Sequence, residues 1–241
     1  MIKGWWNTRK ELVMNVEKYN KEYYFDLSDT NLEPLFEDIK YIWEVFPKIK
    51  EWIVKNLVIE IKGHVQNNAF IGKNVSIGKG TVVESGAYIK GPAIIGENAV
   101  IRHGAYLREY CVIGNNCIVG HASEIKNSIM LNGSAASHFG YVGDTILGNG
   151  VNLAAGCKLS NYKNDGEEIT VTMDGKKYFT GLKHFGAIIG DNTKIGCNAV
   201  TNPGTLIGRN CIIYPCSSIR RMLESNTIVK LRQEIEVVKK I

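Results

Sequence analysis

Stepping through the chain six residues at a time from Val65 lands on an aliphatic side chain at every step as far as Leu131. The series runs Val65, Ile71, Ile77, Val83, Ile89, Ile95, Ile101, Leu107, Ile113, Val119, Ile125 and Leu131. A helix repeats its apolar face about every 3.6 residues and a half-buried strand every second residue, so a sustained period of six belongs to neither alone. The beat returns at Leu147, Leu153 and Leu159, then at Ile189, Ile195, Thr201, Ile207, Ile213 and Ile219. Repetition of this kind marks a solenoid. Each unit is read as one short strand and one turn, with three units closing a triangular coil. The aliphatic residue points into the prism, and successive coils stack these side chains into ladders.

Two places before the aliphatic residue the site is small: Ala69, Thr81, Ala87, Ala93, Ala99, Ala105, Cys111, Cys117, Ser123, Ala135, Cys157, Ala199, Thr205 and Cys211. Four of the six cysteines are thereby read as compact inward-facing hydrophobes, while Cys197 and Cys216 fall elsewhere in the unit. The glycine that often follows the aliphatic residue, as in Ile71-Gly72, is read as a turn that a Cβ would restrict.

At 241 residues, with 44% hydrophobic and 22% charged residues, the chain can bury a sizeable core. The net charge of +5 is modest, and lysines alternate with acids rather than forming a basic block with interleaved aromatics, so nucleic acid is not an expected partner. Neither a signal-like apolar segment after Met1 nor an apolar run of about eighteen residues is present, so a cytoplasmic protein with no membrane association is expected.

The hexad does not extend over residues 1–58, where NTRKELVMNVEKYNKEYY and LEPLFEDIKYIWEVFPKIKEWIVKNL have helical apolar spacing, with Ser28, Asp29 and Thr30 as caps and Pro47 interrupting the second stretch. This helical cap is expected to close the open end of the prism and to pack Trp5, Trp6, Trp43 and Trp52. Residues 59–220 are assigned to the solenoid and 221–241 to a C-terminal helix. Between 165 and 183 the chain leaves the beat. There Asp174-Gly175, flanked by strand-like runs in ITVTMDGKKYFTG, predicts a protruding β-hairpin arm, either a tolerated insertion or a flap over a site between subunits.

The beat slips near His138. Leu131 closes the first register, Ser137 stands where an aliphatic residue is due, and Val142 arrives five residues later. A lost residue distorts a coil, and His138, Phe139 and Tyr141 stand at that point.

The hexad resembles that of the hexapeptide-repeat acyltransferases, which implies a left-handed parallel β-helix against the usual crossover preference. A more specific pattern lies in LR at 107–108, EIK at 124–126, HFGYVGD from His138 and VNLAAGCKLSNY from Val151, with eighteen residues from Arg108 to Lys126 and twelve from Lys126 to His138. This order resembles the acetyltransferase half of the bifunctional enzymes that acetylate glucosamine 1-phosphate and then uridylylate it. The resemblance covers roughly residues 65–220 and implies acetyl-CoA as cosubstrate and a homotrimer with sites between prisms. Without the preceding nucleotidyltransferase domain, no uridylyl transfer is expected.

Carried over by position, His138 is implied as general base, and Arg108, Lys126, Tyr141 and Asn152 as contacts to the amino-sugar phosphate. Arginine and lysine suit a phosphate chemically, and imidazole titrates in the range a base needs. Ala155, Asn161, Tyr162, Cys197 and Pro215 fall where the family contacts acetyl-CoA. Asp144 or Glu124 could orient His138, and the AAG turn at 154–156 could donate to a thioester oxyanion. Cys197 stands for the family's usual Ser, Pro215 for a small residue, and the arm is long. These departures leave open another amino sugar or a small alcohol as acceptor, a covalent route through Cys197, or a noncatalytic sugar-nucleotide-binding scaffold. The five histidines offer no closely spaced pair for a metal, so a metal-dependent hydratase is not expected and no metal ligand is assigned.

Overall fold

The structure, a computed structural model, describes residues 17–240. Its body is a prism of three parallel sheets. The first face holds nine strands from His64–Val65 to Ile228–Val229, the second eight from Phe70–Ile71 to Ser218–Ile219, and the third eight from Val75–Ile77 to Met222–Leu223. The six-residue unit fits a left-handed β-helix. Strands of two to four residues are short because each must turn a corner after one inward side chain. Corner residues such as Asn98, Asn116, Asn192 and Asn210 take left-handed φ values between 54° and 62°, a region that asparagine tolerates through its short polar side chain. The glycine after each inward aliphatic residue has another cause: at Gly72 φ is not left-handed, but a Cβ would lie 2.1 Å from the Lys90 carbonyl oxygen of the next coil.

The inward ladder forms one buried core from Val75 to Ile219, with Cys111, Cys117, Cys157 and Cys211 fully enclosed as expected. The register differs from the sequence reading at one place. Met130 and Ala136 point inward, paired with Ile113 and Val119, while Leu131 points outward into a second cluster and Ser137 holds no inward site. The small inward residue of that coil is accordingly Ser134, fully buried, rather than Ala135. The missing residue is lost between Ile125 and Met130, and a second between Val142 and Leu147, both at the corner between the second and third faces. His138 lies at the other corner, where the six-residue step is intact.

Around the prism sit α1 (Lys21–Tyr24), 3₁₀ turns at Glu33–Phe36 and Ile42–Val45, and α2 (Phe46–Asn56). Pro47 begins α2 instead of interrupting it, where its missing N–H costs nothing. The cap does not close the end of the prism. Its buried Tyr24, Leu35, Ile42, Trp43, Ile49 and Ile53 cover the outer side of the third face at Val112, Ile129, Leu131, Ile146, Ile188 and Leu206. Every third unit thus carries a second aliphatic residue just before the inward one, a period of about eighteen that marks which face is covered. Trp43 is buried and Trp52 packs half-buried against the same cluster; Trp5, Trp6 and most of the first helical stretch lie outside the described residues.

The arm is an antiparallel hairpin, Thr170–Met173 with Lys176–Phe179. It lies flat instead of protruding: Ile169, Val171 and Met173 are buried in the cap cluster, and the Tyr178 ring meets Tyr41 at 5.6 Å and Trp43 at 6.1 Å. The expected C-terminal helix is replaced by a further coil. Leu223 and Val229 pair with Ile207 and Ile213, turning at Asn226 with φ 62°, so the solenoid runs nine residues past 220; residues 230–240 are exposed and not helical. An inward aliphatic rung with a left-handed Asn turn satisfies the strand groups left by the coil above, which a helix would leave open.

Candidate active site

The register sets seven residues in one column along the corner between the first and second faces. Val83, Ile101, Val119, Ala136, Leu153, Ile195 and Ile213 stack in succession. Two places after them stand Ser85, His103, His121, His138, Ala155, Cys197 and Pro215. The general-base candidate and three of the five acetyl-CoA candidates are therefore collinear. The coils approach closely here: a Cβ on Gly120 would sit 1.6 Å from the Ser137 carbonyl oxygen.

Two of the three histidines are anchored. His103 Nδ1 lies 2.7 Å from the Ser85 carbonyl and His121 Nδ1 2.7 Å from the His103 carbonyl, and since a carbonyl only accepts, each ring donates. The His138 backbone carbonyl accepts from the Gly156 N–H at 2.9 Å, and the next residue, Phe139, turns the corner at φ 51° with its ring edge-on to His121. The His138 side chain is exposed, and neither Glu124 nor Asp144 hydrogen-bonds it.

Glu124 instead accepts from Arg108 Nη1 at 3.0 Å. Asp144, buried at φ 46°, accepts from Lys126 Nζ at 3.2 Å, from Asn127 Nδ2 at 2.7 Å and from Asn161 Nδ2. The Tyr141 hydroxyl donates to Asn161 Oδ1 at 3.4 Å. Burial first, then the Glu124 and Asp144 charges, raise the Tyr141 pKa, so it stays a neutral donor. One network thus joins Lys126, Tyr141 and Asn161, assigned from sequence to two different ligands, around a carboxylate whose part sequence reasoning had placed at His138. Its signal was the five-residue step itself, which brings Asn127 and Asp144 to the shortened corner.

The other positions are more separate. Asn152 lies on the first face, paired with Ala135 and Lys194. Tyr162 is exposed and stacks on His184 at 5.2 Å. Cys197 is exposed, as is Cys216, whereas burial pushes the Cys111 thiol up to about 12 and Cys157 up to about 11, leaving the enclosed thiols unreactive.

Three domain descriptions match along the prism: the hexapeptide repeat of succinyl-transferase over residues 65–109, the GMPPB C-terminal domain over 89–175, and the bacterial transferase hexapeptide over 186–221. A bifunctional protein GlmU of Methanococcus maripaludis strain C7 is 44% identical over 89% of this chain and 52% of its own length; that of Methanococcus vannielii is 34% identical over 87% and 50%. The chain is a hexapeptide-repeat homologue of the GlmU proteins. It spans about half the length of these curated relatives. An Arabidopsis UDP-N-acetylglucosamine acyltransferase structure is 17% identical, with a TM-score of 0.39 over 71% of this chain and 70% of that one, too distant to speak to chemistry.

In this hexapeptide-repeat chain the two corners divide the polar work. The intact corner presents an exposed imidazole beside small or rigid residues, and the shortened corner concentrates buried charge. Strands of the second face connect them, carrying Glu124 and Tyr141 side by side in register. Among the described residues no helix is long and apolar enough to cross a membrane.

Proposed function

We propose that the chain moves an acetyl group from acetyl-CoA to the amine of an amino-sugar phosphate such as glucosamine 1-phosphate, as a cytoplasmic homotrimer. The observation that carries this reading is the corner column, in which exposed His138 lines up with Ala155, Cys197 and Pro215 while Tyr141, Arg108 and Lys126 flank it on the second face. The GlmU relatives support the same class of chemistry.

The amine lone pair attacks the thioester carbon, the C=O pair moves onto oxygen, and His138 takes the amine proton. Collapse expels the CoA thiolate, which recovers that proton from the imidazolium. In the AAG turn the Ala154 N–H donates to Ile195 and the Gly156 N–H to His138, which leaves the Ala155 N–H as donor to the developing oxyanion. Ala155, Cys197 and Pro215 leave a narrow track for the pantetheine arm, with Asn161 and Tyr162 beside it. Arg108, Lys126, Tyr141 and Asn152 receive the sugar and its phosphate, the cations as charge-assisted donors.

Steady-state transfer with glucosamine 1-phosphate beside a panel of other amino sugars and small alcohols tests the acceptor. Replacing His138 with Ala is expected to lower kcat about a hundredfold or more with KM for acetyl-CoA unchanged. A rate close to that of the unmodified chain would remove His138 from the mechanism.

A further inference from the structure

At the edge of the second face opposite the His138 corner, the hairpin arm and the last coils border a polar cavity of about 630 Å³, within the range of about 300–1,000 Å³ that small-molecule sites occupy. Its solenoid wall is a short column. Leu159, Thr201 and Ile219 stack in register, so Ser160, Asn202 and Arg220, each one place later, stand on successive rungs about 4.8 Å apart. The arm supplies the other wall: Ile169, Val171 and Met173 are buried in the cap cluster, and strand alternation turns Thr170 and Thr172 the other way, into the cavity. Three cations, Lys163, Arg220 and Arg221, line it against one carboxylate, Asp165. That carboxylate is already engaged, pairing with Lys163 at 3.1 Å and accepting from the Glu167 N–H at 3.0 Å. Arg220 and Arg221 are exposed, and among the described residues neither has a carboxylate partner. Arg221 turns the corner at φ 77°, the only basic residue held in the left-handed region among those described. Glycine or asparagine would turn it at lower cost, so the side chain at this corner is explained by what it reaches.

We infer that this cavity is a diphosphate site, with Arg220 and Arg221 holding the two linked phosphates of a nucleotide. The guanidinium groups offer two planar forks, each matched to the oxygens of one phosphate. The Ser160, Thr170 and Thr172 hydroxyls and the Asn164 amide are donors for a sugar or for the remaining oxygens. The site is separate from the His138 column: Pro215 and Arg220 lie at opposite ends of strand Ser218–Ile219, in a coil three rungs below that of His138. It therefore stands whether or not the chain transfers acetyl groups. The arm gains a task beyond covering the third face, since its outward threonines complete a site that the solenoid alone leaves open on one side. Two kinds of ligand carry a diphosphate of this sort, a nucleoside diphosphate and coenzyme A itself, and competition separates them.

The test is isothermal titration of the full chain with pyrophosphate and with orthophosphate, using the unmodified protein, the double variant Arg220→Ala/Arg221→Ala and, as a control for general charge, Lys73→Ala, an exposed lysine of the first coil. Pyrophosphate is expected to bind more tightly than orthophosphate. The double variant should weaken it about tenfold or more, and Lys73→Ala should leave it unchanged. Both arginines are exposed, so the fold tolerates their loss. Displacement of pyrophosphate by UDP but not by coenzyme A would assign the cavity to a nucleoside diphosphate, and displacement by coenzyme A would assign it to that coenzyme; either result keeps the site. No preference for pyrophosphate, an unaffected double variant, or equal weakening by Lys73→Ala would overturn the assignment.

Discussion

Asp144 holds three side-chain donors from two coils. Removing it leaves Lys126, Asn127 and Asn161 without their shared partner in a largely buried place, where orphaned polar groups cost about 1–3 kcal/mol. Asp144→Ala is expected to lose stability by about that amount in chemical denaturation and to raise KM for the phosphorylated acceptor, because Lys126 loses its fixed position. An unchanged midpoint would show that the network contributes nothing to the fold. The cysteines give a second residue-scale check. Cys197 and Cys216 are exposed and the other four buried, so a thiol reagent should modify these two in the native protein and the rest only after unfolding. Fast native labelling of Cys111, whose thiol burial pushes up to about 12, would contradict the inward register.

The elements of the prism were legible because an inward aliphatic side chain every six residues leaves a signal that survives changes at the other positions. The slip was misplaced by two units because Met130 and Leu131 are both apolar and only coil-to-coil pairing decides which faces inward. The cap's helical character could be read, but its docking face needed the second aliphatic series at Ile94, Val112, Ile129, Ile146, Ile188 and Leu206, a period three times longer. Its polar attachment was not legible at all. Asp191 accepts from the Asp26 N–H at 2.8 Å and the Asn149 N–H at 2.7 Å, while the Asp191 N–H donates to Tyr24. Burial, outweighing these donors, raises the Asp191 pKa. The folded state then holds this proton more tightly than the unfolded one, so the group's contribution to stability is full below the ordinary carboxylate value and is lost as pH rises through the folded value. Asp191→Ala should be less stable by about 1–3 kcal/mol, with the deficit shrinking across that window in denaturation at stepped pH; a deficit that grows with pH would mean the carboxylate is stabilised instead. Lys18, by contrast, bridges Asp174 of the arm and Glu224 of the last coil at 2.6 and 2.7 Å, but both acids are largely exposed, so its loss should change stability by under about 1 kcal/mol.

At the scale of the molecule, the cap and arm cover the third face and leave the first and second open on either side of the His138 corner. The proposed trimer must therefore use those two faces. The second face carries an aromatic ladder above the site, with Phe70 stacked on Tyr88 at 4.2 Å, Tyr88 edge-on to Tyr106 at 5.5 Å, and Phe70 and Tyr88 each more than two-fifths exposed. Contiguous exposed aromatic surface of this kind is better accounted for by a partner than by solvent, and a second copy fits because the site's own residues straddle the corner. A closed three-fold ring would bury the ladder in each of its equivalent contacts. Tyr88→Glu is accordingly expected to turn a three-chain species into single chains in sedimentation velocity, with loss of acetyl transfer, whereas Lys40→Glu on the cap should leave both unchanged. If Tyr88→Glu stays assembled, or the unmodified chain sediments alone while fully active, the corner works within one prism and the ladder needs another occupant.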